Sequence, residues 1–380
     1  MIKIKSDKII SNGSLFSGYL YIDGKKIVSL SKNDVCDCQT YDYTGKFVSA
    51  GFIDIHTHGV GGYDFLTEDE EQVINGANRM LKFGVTSVLP TVSTAPFHRI
   101  EKAVIAIKKA MESDRTLITI VGAHLEGPYL SPKQCGAQNT EHLTAPIKKD
   151  YESLIDKYAS AIARWTYAPE LDENGEFCKH IVNRGIVASA GHSNANYQQV
   201  LNAVNSGMNT ITHLYSATST VTRNGGFRQA GVIESAFLID DLFVEIIADG
   251  KHLPNELIKM IIKIKGEDKV ALITDSMSIA DTSVKQGVMN GIEYVVEQGV
   301  CRLKDRTAFA GSVATANELI KTIVDCGYSI PVAVKMLTEV PANILNIKKG
   351  RLENGYDADV IVFDEQINVS NAFVLGKKVL

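Results

Sequence analysis

The sequence predicts an α/β protein, a TIM-like (β/α)8 barrel with a small sheet domain formed by both chain termini. Three observations lead to this prediction. The first fifty residues have β patterns, strand-like apolar runs alternate with helical stretches from Phe52 onward, and short β runs return after Leu345. Strands that alternate with helices form parallel sheets covered by those helices. The predicted division is a barrel over residues 51–345 and a terminal domain over residues 1–50 and 346–380.

The terminal domain is predicted from turn signals between apolar runs. Near the amino terminus, residues 18–22 and 25–30 flank Asp23-Gly24, a dipeptide suited to a tight hairpin turn. Near the carboxyl terminus, residues 359–363 and 372–380 are strand candidates, and Gly376-Lys377 is a turn candidate. The two ends therefore supply one sheet domain, and we expect it to pack firmly against the barrel.

The barrel is predicted from eight strand candidates, several of them separated by helical patterns. The strand candidates are residues 52–55, 85–89, 118–125, 165–168, 186–190, 210–214, 244–248 and 270–274. The helical patterns cover residues 67–83, 100–111, 197–204, 255–265 and 314–326. For the first helix, Thr67 with Glu70 predicts a capping box, and Gly84 predicts the C-terminal stop.

Composition excludes several function classes. The chain has a formal net charge of -5 and 22% charged residues, with Lys and Arg scattered, so we expect no nucleic acid and no membrane surface as partner. No signal-peptide core or bilayer-spanning run is visible, which predicts a cytoplasmic protein. The six dispersed cysteines are expected as free thiols. Cys36-Asp37-Cys38 could be half of a metal site, but no second cysteine pair follows at suitable spacing.

Polar residues with metal-ligand chemistry lie at or just after the ends of strand candidates. They are His56, His58, Glu126, His192, His213 and Asp275. In such barrels the loops after the strands converge on one cavity, and alternation along a strand puts His56 and His58 on the same side. A lone histidine there is more often a hydrogen-bonded structural residue, but recurrence at several strand ends favours a site. The nitrogen-rich set predicts Zn²⁺ or Fe²⁺ rather than magnesium or calcium.

Several motifs carry a family resemblance that covers essentially the whole chain. Residues 51–59, Gly-Phe-Ile-Asp-Ile-His-Thr-His-Gly, resemble the opening signature of the amidohydrolase superfamily. The later motifs resemble, in the same order, those of N-acetylglucosamine-6-phosphate deacetylases: His124-Leu125-Glu126-Gly127-Pro128-Tyr129, Gly191-His192-Ser193, Thr212-His213-Leu214-Tyr215, Ala248-Asp249-Gly250-Lys251-His252 and Thr274-Asp275-Ser276-Met277. Ala310-Gly311-Ser312 and residues 355–359 extend the resemblance.

The resemblance implies a fold, a metal site and a reaction. It implies a β-sandwich built from both termini, and a principal metal held by Glu126, His192 and His213. His56 and His58 would permit a second ion, giving one or two divalent ions per subunit, and the resemblance also implies a homodimer. The implied reaction removes the acetyl group of N-acetylglucosamine-6-phosphate. Asp275 would accept the proton of water and then deliver it to the departing nitrogen. The alternative for Asp275 is a helix N-cap.

The resemblance also implies contacts with the substrate. Arg228 and His252 match family positions that contact the sugar phosphate, and an arginine fork suits phosphate geometry. Gln138 stands where the family usually has a histidine near the substrate carbonyl, and its amide could still donate. Ser216, beside Ala217, stands where an asparagine near the phosphate is common. The loop before Arg228 is also lengthened, so the reaction class is better specified than the substrate.

Three alternatives compete with this function. The nearest is a deacetylase for a related substrate such as N-acetylgalactosamine-6-phosphate. The next is a cyclic amidohydrolase, but such enzymes typically bridge their metals with a carboxylated lysine, a role that Glu126 would take here. The last is a catalytically dead barrel, against which the intact ligand set and Asp275 argue.

Overall fold

The barrel forms as predicted, in a computed structural model that describes residues 1–289 and 291–380. Its parallel strands, in spatial order, are Phe52–Thr57, Val85–Val92, Ala123–Glu126, Ile162–Tyr167, Val187–Ala190, Thr210–Ile211, Phe243–Ile247 and Val270–Ile273. A short strand, Thr119–Ile120, also pairs with Val85–Val92. Two hydrogen bonds join the first strand to the residues that follow the last one. Asp275 N–H donates to His56 O at 2.9 Å, and Thr274 Oγ1 donates to Asp54 Oδ2 at 2.6 Å. The barrel is therefore nearly closed.

Within the described residues, one α-helix follows each barrel strand. These helices are Glu70–Met80, Phe97–Glu112, Lys148–Tyr158, Glu176–Asn183, Tyr197–Asn205, Val232–Leu238, Asn255–Lys265 and Ala316–Asp325. Two more, Ile330–Met336 and Glu339–Leu345, lead out of the barrel. Each long helix buries one apolar face, as in Ala316–Asp325, where Ala316, Leu319, Ile320 and Ile323 are buried. That spacing is the helical repeat that packs one face onto the strands.

The two chain termini build one eight-stranded sheet. Its strands are Ile2–Ser11, Ser14–Asp23, Lys26–Ser31, Gln39–Asp42, Phe47–Ala50, Val360–Phe363, Val369–Val374 and Lys377–Lys378. Phe47–Ala50 pairs antiparallel with Val360–Phe363, which joins the two ends of the chain. The predicted fold class, a TIM-like barrel with a small β-rich terminal domain, is confirmed. The division at residues 50/51 and 345/346 remains our proposal.

A buried ion pair lies where the terminal domain meets the barrel. Lys349 Nζ is 2.7 Å from Asp359 Oδ2, and both side chains are less than 10% exposed. Lys349 Nζ also donates to Thr119 Oγ1 at 3.2 Å, and Asp359 O accepts from Gly51 N–H at 3.0 Å. These bonds attach the terminal domain directly to barrel elements.

Two local predictions are corrected. The first helix is capped by Asp69, whose side chain accepts from Glu71 N–H, so the capping box of Thr67 and Glu70 is wrong. Thr67 Oγ1 instead accepts from Asp69 N–H at 3.2 Å, because Thr67 lies two residues before the N-cap position. The strand predicted over residues 118–125 is two strands. Between them Gly122 has φ +155°, and a Cβ there would lie 2.9 Å from Ala163.

Two elements that the sequence patterns did not predict lie in the loops. One is a three-stranded antiparallel sheet, Gln286–Met289, Ile292–Glu297 and Val300–Leu303, inserted after the last barrel strand. The other is an exposed hairpin, Thr222–Asn224 and Phe227–Gln229, whose turn is Gly225-Gly226 with positive φ at both glycines. In residues 1–289 and 291–380, none of the helices combines the length and the apolar character needed to cross a membrane.

Candidate metal centre

The six predicted site residues converge at one end of the barrel. His56 lies in the strand Phe52–Thr57, Glu126 ends the strand Ala123–Glu126, and the others come just after strand ends. None of the six is more than 8% exposed. Three of them have left-handed backbones, with φ of +46° at His192, +29° at His213 and +45° at Asp275. Non-glycine residues in this conformation are uncommon and concentrate at functional sites.

The carboxylate of Glu126 lies between two pairs of histidines. Its Oε1 atom is 3.1 Å from His192 Nε2 and 3.0 Å from His213 Nε2. The same carboxylate is 3.4 Å from His56 Nε2 through Oε1 and 3.3 Å from His58 Nε2 through Oε2. Glu126 therefore belongs to both groups of three side chains that could hold an ion.

Asp275 faces the same cluster from the last barrel strand. Its Oδ1 atom is 3.2 Å from His58 Nε2 and 3.4 Å from His56 Nε2. Among the described residues, the next helix begins only at Ala316, so the helix N-cap alternative for Asp275 is wrong. The carboxylate is instead available to the cavity that it lines.

Three of the four histidines are oriented through Nδ1. His192 Nδ1 donates to Gln134 O at 2.9 Å, and His213 Nδ1 donates to Ser216 O at 3.1 Å. His58 Nδ1 is 2.9 Å from Ser93 Oγ. A partner at Nδ1 fixes the tautomer and leaves Nε2 free to bind a metal. These partners were not predicted, because two are backbone carbonyls and the third is an ordinary serine.

A fifth histidine in the same motif, His124, is structural. Its Nδ1 is 3.0 Å from Thr91 Oγ1 and its Nε2 is 2.7 Å from Thr166 Oγ1, so both ring nitrogens are occupied. Burial and the nearby Arg164 guanidinium hold the pKa of His124 well below its usual range. His124 is therefore a neutral packing residue, with its ring 4.5 Å from that of His56.

The cluster carries opposing charges that stabilise one another. Burial lowers the pKa of both imidazoles, but the carboxylates of Glu126 and Asp275 outweigh burial and raise the pKa of His56 to about 9 and that of His58 to about 10. Burial raises the pKa of the carboxylates, but the imidazoles outweigh it. The pKa of Glu126 falls well below its usual range and that of Asp275 falls to about 2. A metal cation that bound to this cluster would therefore displace protons from the imidazoles.

The residues present fit a divalent metal. Both ring nitrogens of His56 are buried and have no hydrogen-bond partner among the described residues. Buried polar atoms are rarely left unpaired, so two unpaired ring nitrogens beside buried carboxylates suit the binding of a cation. The donors are imidazole nitrogens and carboxylate oxygens, which suit a catalytic transition-metal site.

A cavity of about 360 Å³ opens above the cluster. Four predicted substrate-binding residues line it, namely Gln138, Ser216, Ala217 and His252. The inserted sheet and the segment after it add Met289 and Phe309, and the His252 ring packs 4.8 Å from that of Phe309. The volume is in the range of pockets that bind small molecules.

Gln138 contacts a metal-ligand candidate. Its Nε2 donates to Glu126 Oε2 at 2.6 Å, and its Oε1 accepts from Thr94 N–H at 3.0 Å. The Glu126 carboxylate can only accept a hydrogen bond and the Thr94 N–H can only donate one. These two partners therefore fix which end of the Gln138 amide is oxygen and which is nitrogen. Gln138 is therefore at the predicted site, but its amide already has protein partners.

Arg228 lies away from the other predicted residues. It is on the exposed hairpin, opposite Arg223 in the strand register, and it does not line the cavity of its own chain. Neither arginine has a carboxylate within ion-pair distance in the part of the chain that the structure describes. The structure thus brings together every predicted site residue except Arg228.

The fold and the cluster are typical of one class of protein, the barrel hydrolases that hold a metal at the carboxyl ends of their strands. The sequence profile of the amidohydrolase family matches residues 47–379. The N-acetylglucosamine-6-phosphate deacetylase of Haemophilus influenzae is 31% identical over 346 residues, covering 89% of this chain and 88% of the relative. The N-acetylgalactosamine-6-phosphate deacetylase of Shewanella sp. is 30% identical over 357 residues, covering 92% and 87%.

Solved structures agree with these sequence matches. The crystal structure of N-acetylglucosamine-6-phosphate deacetylase from Pasteurella multocida superimposes with a TM-score of 0.92 at 28% identity, covering 100% of this chain and 99% of that one. The chain therefore belongs to the amidohydrolase family, whose members generally use a divalent metal, and within it to the N-acetylglucosamine-6-phosphate deacetylases. The resemblance inferred from the motifs is confirmed.

Proposed function

We propose that this chain hydrolyses N-acetylglucosamine-6-phosphate to glucosamine-6-phosphate and acetate. One observation carries the proposal: the Asp275 carboxylate lies 3.2 Å from His58 Nε2, beside the two ligand groups that share Glu126, in a cavity open to a small molecule. Hydrolysis of an unactivated amide needs a polarised carbonyl, an activated water and a proton for the leaving nitrogen. The relative from Haemophilus influenzae supports the choice of substrate.

We propose Zn²⁺ or Fe²⁺ as the metal, with one or two ions per subunit. Glu126, His192 and His213 would hold the principal ion, and His56, His58 and Glu126 a second. When bound, the ion supplies a Lewis acid that polarises water and the amide carbonyl. The high proportion of imidazole donors supports these metals over magnesium or calcium.

Asp275 would move the proton. Its carboxylate is ionised, since its pKa is lowered to about 2 by His56 and His58 against the effect of burial, and an ionised carboxylate can accept the proton of the attacking water. The same oxygen would then return the proton to the sugar nitrogen, because an amine anion is too basic to leave. This transfer makes Asp275 first a general base and then a general acid.

Binding of the sugar phosphate falls to the residues around the cavity. We propose Ser216, Ala217, His252 and Arg228 as its contacts, with Gln138 at the acetyl end. His252 is held by Asp249, whose Oδ2 is 2.8 Å from His252 Nδ1, which leaves His252 Nε2 as the atom that can reach a ligand. A dianionic phosphate also needs cationic partners.

The homodimer is part of the same proposal. The hairpin holds Arg228 and Arg223 without carboxylate partners among the described residues, and Phe227 on it is 81% exposed. A second copy of the chain would cover Phe227 and would bring Arg228 to a cavity that it does not reach in its own subunit. Exposed aromatic and arginine side chains are typical of such contacts.

We also propose a cytoplasmic location and a small-molecule substrate, without a nucleic acid or membrane partner. The net charge of -5 opposes binding to polyanions. The six cysteines are all free, as expected in a reducing compartment.

Deacetylation of N-acetylgalactosamine-6-phosphate is the second candidate. The Shewanella relative supports it, as do Gln138 and Ser216, which depart from the usual family residues. A cyclic amidohydrolase is less well supported, because Glu126 occupies the position shared by both ligand groups. A catalytically dead barrel would not require Asp275 and four histidines to stay together.

Acetate release from three sugars tests the proposal. We expect the metal-loaded protein to release acetate from N-acetylglucosamine-6-phosphate with a higher kcat/KM than from the galactose epimer or from unphosphorylated N-acetylglucosamine. Metal analysis of the same sample gives the identity and number of ions. Preference for the galactose epimer would select the second candidate, and no acetate from any of the three would refute deacetylation.

A further inference from the structure

A buried ion pair lies inside the barrel, deeper than the candidate ligands. Arg164 comes from the middle of the strand Ile162–Tyr167 and Glu245 from the middle of Phe243–Ile247. Arg164 Nη1 is 2.5 Å from Glu245 Oε1, and neither side chain has any solvent exposure. The interiors of such barrels are usually filled by branched apolar side chains, so a charged pair here requires a reason.

The guanidinium is fixed by the strands around it. Arg164 Nη2 donates to Thr212 Oγ1 at 2.7 Å and to Ser189 Oγ at 3.0 Å. Arg164 Nη1 also donates to Ile55 O at 3.3 Å. With the guanidinium held from several strands, the carboxylate paired with it has little freedom to move.

Stability does not explain the pair. Removing two charges from water costs more than their attraction commonly returns, and apolar replacements of similar volume are often neutral or stabilising. The informative contact is the second oxygen of the carboxylate. Glu245 Oε2 lies 3.7 Å from His56 Nδ1, on the opposite side of the ring from the cluster that Nε2 faces.

His56 is oriented differently from the other three histidines. Their Nδ1 atoms have a hydroxyl or carbonyl partner, whereas His56 Nδ1 has no hydrogen bond among the described residues and faces the Glu245 carboxylate. A negative oxygen at this distance favours the tautomer that carries its proton on Nδ1. That tautomer leaves the Nε2 lone pair for a metal.

We propose that Glu245, held by Arg164, is the positioning residue that presents His56 Nε2 to the second of two divalent ions. This inference rests on the metal site of the proposed function. The principal ion at Glu126, His192 and His213 does not depend on Glu245, since His192 and His213 have their own Nδ1 partners. Affinity for the second ion does depend on it.

Titration of the metal-free protein with Co²⁺ separates the two ions. Absorption spectra and metal analysis give the affinity of each equivalent. In Glu245→Gln we expect the first equivalent to bind as in the wild type and the second to bind about 10- to 100-fold more weakly, the usual effect of losing a partner behind a ligand. If Glu245→Gln does not fold, Arg164→Met/Glu245→Leu removes both charges together and should give the same result.

A second buried ion pair provides the matched control. Asp359→Asn breaks the pair with Lys349 at the domain junction, away from the cluster. We expect it to lower stability and to leave both Co²⁺ affinities unchanged. An unchanged second affinity in a folded Glu245 variant, or an equal loss in Asp359→Asn, would overturn the inference.

The number of ions bound by the wild type and its deacetylase activity distinguish a failure of this inference from a failure of the proposed function. A wild-type protein that is an active deacetylase with one ion would overturn the inference and leave the function standing. A protein that binds two ions with the dependence on Glu245 but releases no acetate would support the inference and overturn the function.

Discussion

His192, His213 and Asp275 each take a left-handed backbone conformation two residues after the end of a barrel strand. Such conformations cost about 1–3 kcal/mol for a residue with a side chain. At these three positions the turn directs a candidate ligand or the Asp275 carboxylate towards the same cluster, so the strained backbone helps to bring these side chains together. The buried barrel around it supplies the compensating stability.

At the scale of single residues, Asp275 gives the sharpest prediction. Asp275→Asn keeps the size of the side chain but cannot accept or return a proton. We expect kcat per bound metal to fall about a hundredfold to ten-thousandfold, with the fold retained. Metal content, circular dichroism and acetate release measured on one preparation check this result.

Metal loss would make the Asp275 result ambiguous, because its carboxylate also faces His56 and His58. The quantity to compare between Asp275→Asn and the wild type is therefore the turnover divided by the metal content of the same sample. His192→Ala is the control for metal loss, since it removes a candidate ligand of the principal ion and should lower metal content and activity together. Near wild-type turnover per metal in Asp275→Asn would assign the proton to another residue.

Sequence patterns predicted the residues of the cluster because their signal is local. In a parallel barrel, a histidine or an acid just after a strand lies at the mouth of the barrel, and the local sequence is enough to show that it follows a strand. The partners at Nδ1 depend on long-range packing, and Gln134 and Ser216 contribute only backbone carbonyls. Glu245 did have a signal, as an acid within the apolar run Phe-Val-Glu-Ile-Ile, but the pattern gives no partner for it.

At the scale of elements, the hairpin Thr222–Gln229 gives the second prediction. We expect Phe227→Ser to convert the proposed dimer into a monomer, because it removes the exposed aromatic that a partner would cover. Loss of such an anchor costs about 2–4 kcal/mol, which weakens association at least roughly thirtyfold. Light scattering on a dilution series measures the change in mass.

Two other variants show whether the effect belongs to this element. Arg228→Ala should keep the dimer and raise KM for the phosphorylated sugar, since a charge-assisted hydrogen bond is worth about 1.5–3 kcal/mol. Val35→Ser removes another exposed apolar side chain, on the terminal domain, and should change neither mass nor KM. A Phe227→Ser protein that keeps the dimer mass would exclude the hairpin as the contact.

Sequence patterns predicted five of the eight barrel helices found in the described residues, and missed Lys148–Tyr158, Glu176–Asn183 and Val232–Leu238. The helix predicted over residues 255–265 is found as Asn255–Lys265, because its apolar spacing and the glycine after it are both local signals. The sheet formed by Gln286–Met289, Ile292–Glu297 and Val300–Leu303 was not predicted. Its strands are short and mixed in polarity, and they bury residues only against each other and the barrel mouth, where Met277, Tyr294 and Cys301 pack together.

At the scale of the molecule, the ion pair of Lys349 and Asp359 gives the third prediction. Asp359→Asn should lower the free energy of unfolding by about 1–3 kcal/mol, because it removes one of the two carboxylates that contact the buried Lys349, while Asp357 Oδ2 remains 3.0 Å from Lys349 Nζ. Urea unfolding followed by fluorescence and circular dichroism measures the loss. Lys26→Met, which removes an exposed partner of Asp357, should cost much less.

The pairing of Phe47–Ala50 with Val360–Phe363 also sets an order on biosynthesis. A ribosome makes the first of these strands roughly 300 residues before the second, so the strand has an open edge while the whole barrel is being translated. This pairing cannot form until Val360–Phe363 has left the exit tunnel of the ribosome. The nascent chain must therefore keep that edge from pairing with other strands for as long as the barrel is being translated, because the partner strand is made only after the barrel.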